Sequence, residues 1–193
     1  MTTNAATLEN LKPEAAKNGI GLGLITLVAG VLSAYLLVGT SSMMTVFIVP
    51  IVLGLIVPLV IAIFFCIDLR KKIGGFWNLR QATSGIFIMF LVTYIISNIG
   101  NVIFNELIEK DMASRIRHTV VDATESMMRS QGVDDEKVDA QIEKMNNDFE
   151  QKQQGSVMKT IQGHVIGIII VFVAALIFGA VFKREPPLVL IEE

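Results

Sequence analysis

Two histidines, one cysteine and a short polar stripe are the side chains in this chain with chemistry to offer. His118 lies in a charged stretch and His164 at the edge of an apolar run. A histidine acting as a general acid or base needs a reacting group within hydrogen-bond reach and a partner that orients it. No HExxH, GxSxG or P-loop spacing surrounds either one, so both read as surface or interfacial residues. Cys66 stands alone, which excludes an intramolecular disulfide and any multi-cysteine metal site. Near the end of an apolar run it reads as a small core residue. The carboxylates between 105 and 163 are scattered as on a solvated helix surface, not paired for proton transfer. These observations predict no enzyme, no cofactor and no metal.

The polar stripe is Tyr94, Asn98, Asn101 and Asn105, with Thr93 and Ser97 beside it. Spacings of four, three and four place the first set on one helix face. An amide in lipid must find a hydrogen-bond partner, so this face is expected to point into a helix bundle. Its plain role is glue between helices; its functional alternative is the wall of a small water-filled cavity.

The elements that hold these residues are membrane-like. The chain has 193 residues, 52% of them hydrophobic, and a mean hydropathy of +0.60. The distribution carries the meaning. Residues 19–38, 45–67, 82–104 and 164–182 contain no Asp, Glu, Lys or Arg. Helices of about 20 residues cross a hydrocarbon core about 30 Å thick. Period-2 alternation is missing, so strands are excluded. The expected fold is all-α: a four-transmembrane-helix bundle with an extramembrane helical hairpin between the third and fourth spans.

Taken in order, residues 1–18 form a cytoplasmic N-terminal segment, and the first span is expected to stay as an uncleaved anchor. Gly19 and Gly23 form a small-xxx-small pair that either admits a neighbouring helix closely or merely begins the span with glycine. Pro50, Gly54 and Pro58 share one face of the second span and predict a bend, either static or gating. The basic loop 68–81 contains Arg70, Lys71, Lys72 and Arg80 and marks the cytoplasmic side. Such a cluster sets topology; binding of anionic lipid is its other use. Gly74-Gly75 permits a tight turn, and Phe76 and Trp77 suit the headgroup level. Residues 183–193, beginning with Lys183-Arg184, form a cytoplasmic tail whose apolar end, 188–191, has no readable role. Both termini are thus expected in the cytoplasm, in a bacterial inner membrane.

Residues 105–163 hold 8 basic and 12 acidic residues, a net charge of −4. No basic stripe interleaved with aromatics occurs, so nucleic acid is not an expected partner. Ile108, Met112, Ile116, Val120, Ala123 and Met127 form an apolar face that predicts one helix continuing from the third span to about Ser130. Gly132 is the stop, and Asp134 and Asp135 offer an N-cap. Val138, Ile142, Met145 and Phe149 predict a second helix from about Asp135 to Gln153, ended by Gly155-Ser156. Ile116 and Val120 are expected to face Val138, Ile142 and Phe149 across an αα-hairpin. Two helices bury little alone, so the hairpin is expected to lean on span ends, a second copy or another protein.

Lys71-Lys72, Gly74-Gly75-Phe76, Gln81-Ala82 and Gly85, followed by Gln131-Gly132 and Asp134-Asp135-Glu136, carry a family resemblance. Over roughly residues 19–184 the chain resembles the uncharacterised bacterial membrane proteins grouped as domain of unknown function 4199. Thr83-Ser84 departs from the pattern, which has a larger apolar or aromatic residue there. The resemblance implies four spans with a long loop between the third and fourth, and no activity or functional residues.

The function expected from all this is a non-enzymatic structural or interaction protein. Its surroundings are the lipid bilayer, and its hairpin is the surface for a protein partner or self-association. The alternative is a small transporter or channel using the polar face of the third span. The absence of charge inside the spans favours the first, because ion-coupled transport usually needs an ionisable group there.

Overall fold

A computed structural model describes residues 3–153 and 157–185. Seven α-helices run in the order α1 (Thr3–Leu37), α2 (Met43–Ile51), α3 (Val57–Lys72), α4 (Leu79–Ile103), α5 (Met112–Ser130), α6 (Asp135–Gln153) and α7 (Val157–Phe182). Among the described residues there is no strand. The protein is an all-α helical bundle, and its described residues contain four helices long and apolar enough to cross a membrane. These cover Asn10–Leu37, Met43–Lys72, Leu79–Ile108 and Met158–Phe182, at 28, 30, 30 and 25 residues. Large apolar side chains such as Leu24, Val28, Phe64, Ile170 and Val181 are exposed along them. In water that surface would be costly; lipid covers it. The protein is a multi-pass membrane protein.

The helices overrun the apolar segments. α1 passes through Pro13 and the polar start of the chain, and α7 begins before His164. The helix break expected at Gly155-Ser156, and the tail from Pro186 onward, lie outside the described residues.

α2 and α3 form one span joined by a π-helical turn, Val52–Ile56. Here the Val57 N–H donates to the Val52 carbonyl, one residue beyond the α-helical partner. Pro58 has no N–H to offer Gly54, and a locally wider turn accommodates that gap.

The helices group into two units. Among the described residues, the first is drawn from 3–25, 59–98 and 166–185, and the second from 26–58, 99–153 and 157–165. The core of the first holds Leu11, Ala15, Cys66, Leu69, Ile73, Trp77, Ala82, Ile86, Met89 and Ala175. Glycine sets the helix spacing there. A Cβ on Gly19 would lie 2.6 Å from the Met89 carbonyl oxygen and 2.8 Å from Val92 Cβ; one on Gly23 would lie 3.0 Å from Ile96 Cβ. Gly179 meets Thr83, and Gly167 meets the Tyr94 ring. The Gly19/Gly23 pair therefore is a close helix contact, with α4 as its partner. Gly163 has open space around it. Phe87–Phe172 and Phe90–Phe178 pack edge to face between α4 and α7, at 5.6 and 5.2 Å.

The second unit holds the hairpin. Its small core is Leu37, Val46 and Ala123, with Met43, Val49, Ile116 and Val120 packed against it.

Candidate functional site

The hairpin is the largest polar element, and its geometry begins where α4 ends. A π-helical turn, Phe104–Ile108, leads to Glu109 at φ −128°, ψ 70°, where the helix stops. The Glu109 N–H donates to the Phe104 carbonyl at 2.8 Å, and the Met112 N–H to the Glu109 carbonyl at 3.0 Å. This corrects the expectation of one helix from Asn105 to Ser130. The apolar periodicity continues across the break, so the corner is invisible to it; Ile108 and Met112 fit one face on paper, but Ile108 is exposed and Met112 is buried. The Glu109 side chain holds the corner. Its Oε1 accepts from the Tyr35 hydroxyl at 2.8 Å, and its Oε2 pairs with Arg115. Tyr35 also packs edge to face on buried Phe104 at 6.0 Å.

From that corner α5 lies along the chain reversal between α1 and α2. Ala123 is buried against Leu37 and Val46, the Gly39 N–H donates to Thr119 Oγ1 at 3.4 Å, and the Thr124 hydroxyl lies 3.9 Å from Met43 Sδ. Ile116 and Val120 belong to this contact. Both are half-buried and pack with Ala123 against Leu37 and Val46.

α5 ends where expected, and the mechanism is explicit. Gly132 has φ +71°. The Val133 N–H reaches back to the Met128 carbonyl at 3.1 Å and the Gly132 N–H to Arg129 at 3.1 Å, the two bonds of a Schellman motif. Arg129 donates to Glu125 Oε1 at 3.0 Å and pairs with Asp135 across the turn. The Glu125 hydrogen bond, then the Asp135 charge, hold its pKa above the usual guanidinium value. α6 starts at Asp135, and the Asp134 carbonyl accepts from the Lys137 and Val138 N–H groups.

Between α5 and α6 the packing is mixed. Val138 is fully buried, while Ile142, Met145 and Phe149 are half-buried. Arg117 supplies the contact that apolar periodicity missed. Its Nη2 donates to Asn146 Oδ1 at 2.9 Å, its guanidinium lies 5.6 Å from the Phe149 ring centroid, and Glu150 is 3.4 Å away. His118 is exposed on α5 and His164 exposed on α7.

The polar stripe of α4 is bonded in part within its own helix. Asn98 is half-buried, and its amide donates to the Tyr94 carbonyl of its own helix at 2.8 Å. Asn105, half-buried, does the same to Asn101 at 2.8 Å. Asn101 is exposed and Tyr94 half-buried, so the stripe does not turn inward as a set. A short amide can place one donor on the carbonyl four residues back, as Asn98 and Asn105 do. The cross-helix bond on this side comes from Thr93, whose hydroxyl donates to the Gly19 carbonyl at 3.1 Å.

The basic loop contains a second polar constellation, unforeseen because its members come from distant polar segments. Asn18 is 3% exposed; its amide donates to Asp68 Oδ2 at 2.9 Å and the Phe65 carbonyl at 3.2 Å. Lys72 donates to Asn18 Oδ1 at 3.0 Å and pairs with Asp68 at 2.8 Å and Glu14 at 3.5 Å. Every member has partners, so the group acts as a clasp between α1 and α3.

No curated protein and no solved structure matches the chain. The family model described as "Protein of unknown function (DUF4199)" matches residues 17–184, and the chain belongs to that family.

Proposed function

We propose that this integral membrane protein is a non-enzymatic structural or interaction protein, with the α5–α6 hairpin as its contact surface. The observation that supports this is the way the hairpin is held. α5 is fastened to α1 and α2 through Tyr35–Glu109–Arg115 and the Ala123 contact, while α6 packs on α5 through Arg117 and carries Lys137, Asp139, Glu143 and Lys144 exposed. One helix thus serves as a mount and the other is presented. In this reading the hairpin faces away from the cytoplasm, both termini lie in the cytoplasm, and the membrane is a bacterial inner membrane. The partner is another protein or a second copy of the chain.

The test joins packing to binding. Val138→Asp removes burial worth roughly 1.5–3 kcal/mol and inserts a charge at a dry position. In spheroplasts the loop should become protease-sensitive, and proteins crosslinked to the wild type should be lost. Lys137→Ala and Glu143→Ala should leave protease resistance unchanged. Equal resistance in wild type and Val138→Asp would remove the packed hairpin. A resistant hairpin with no crosslinked protein, and no dimer, would remove the interaction reading.

The second reading, a small transporter or channel, draws on the π-helical turn Val52–Ile56 between Pro50 and Pro58, since such turns recur at functional sites. Ion or solute flux through vesicles containing only the purified protein would favour it.

A further inference from the structure

The loop between α3 and α4 is tied to the end of α7 by a single antiparallel pairing. The Trp77 N–H donates to the Arg184 carbonyl at 2.8 Å, and the Arg184 N–H to the Trp77 carbonyl at 3.0 Å. The Trp77 indole donates to the Phe182 carbonyl at 2.7 Å. Trp77 is only 1% exposed, so protein covers its ring, whereas Phe76 is 44% exposed. The Arg184 guanidinium lies 5.6 Å from the Phe76 ring centroid. The Gly75 N–H bonds the Arg70 carbonyl at 2.9 Å and closes the turn.

This backbone arrangement gathers Arg70, Lys71, Arg80, Lys183 and Arg184 at one end of the first unit. Lys71, Arg80, Lys183 and Arg184 are exposed and Arg70 half-buried. Among the described residues none of the five is in an ion pair, while the nearby acids are engaged elsewhere. Asp68 is held by Lys72 and Asn18, and Glu14 by Lys17 at 2.7 Å and by Lys72. Glu185 is exposed beside Arg184. The apolar runs of α3 and α7 end at Ile67 and Phe182, so the cations stand where hydrocarbon gives way to headgroups.

We propose that this face binds the headgroups of anionic phospholipids in its own leaflet, their phosphates paired by these cations and Phe76 lying in the interfacial layer. Guanidinium and ammonium groups both pair with phosphate, and a basic residue near an anionic surface contributes about a fivefold preference, equivalent to about 1 kcal/mol. The proposal is independent of what the hairpin contacts.

The protein carries one tryptophan, and it lies directly under this face, so its fluorescence reports which lipid is adjacent. The full chain is placed in phosphatidylcholine vesicles containing an equal minor fraction of brominated phosphatidylglycerol or brominated phosphatidylcholine. Brominated phosphatidylglycerol should quench Trp77 more strongly, and high salt should erase the difference. The double variant Arg80→Gln/Lys183→Gln should lower the preference roughly tenfold or more, while Arg80→Lys/Lys183→Arg should keep it. Equal quenching by the two lipids overturns the proposal, as does a preference that survives neutralisation. Should the neutral variant show red-shifted emission, and so a lost fold, the wild-type salt series decides: a preference indifferent to salt contradicts headgroup pairing.

Discussion

At the scale of single residues, the small side chains do more to define this molecule than the polar ones. Gly19 faces a backbone carbonyl, which cannot move aside as a flexible side chain can. Gly19→Leu should therefore destabilise the protein by roughly 1–3 kcal/mol through overpacking, read as a lower thermal midpoint in detergent. Gly163→Ala, with nothing within 4 Å of the added carbon, should leave the midpoint unchanged; equal behaviour of the two variants would mean that the α1–α4 contact is not tight. The spacing of Gly19 and Gly23 is visible in the sequence, but the helix it meets is not. The asparagines teach the opposite lesson. Their one-face spacing is real, yet periodicity cannot show whether an amide bonds across helices or back onto its own. Asn98 takes the local carbonyl.

At the scale of elements, start and stop signals were legible wherever they were chemical. Gly132 and Asp134-Asp135 mark the α5–α6 turn, and α6 starts at Asp135 as its pattern predicts. The corner at Glu109 was illegible, because it has no glycine or proline and depends on Tyr35, 74 positions away in the chain. Likewise Arg117 gave no apolar signal, although it bridges α5 to Asn146 and Phe149. The turn offers a clean test. Gly132 is left-handed in open space, so Gly132→Ala carries only a backbone cost, about 1 kcal/mol. Amide hydrogen exchange should accelerate at the end of α5 and the start of α6, while Gly132→Asn should exchange more slowly than Gly132→Ala. Unchanged exchange in Gly132→Ala would show that the Schellman turn does not limit hairpin opening.

At the scale of the whole molecule, four charge-free runs made the membrane class legible, and the order of short and long connections made the hairpin legible. Orientation rests on charge: 8 Lys/Arg flank the spans on the side assigned to the cytoplasm, against none in residues 39–44. We expect Ser130→Cys to react with an impermeant thiol reagent in intact cells, in a background with Cys66 replaced by Ala. Reaction only after the membrane is broken would reverse the orientation. The pairing of Trp77 with Arg184 adds an element of timing. Arg184 follows the last span, so during synthesis the loop carrying Trp77 leaves the ribosome long before its partner. Until the fourth span has been inserted, the indole and the Trp77 backbone lack the acceptors and donor they hold in the finished fold. The pairing thus cannot form before the fourth span has left the ribosome, and a loop lacking it is chemically distinguishable from one that holds it.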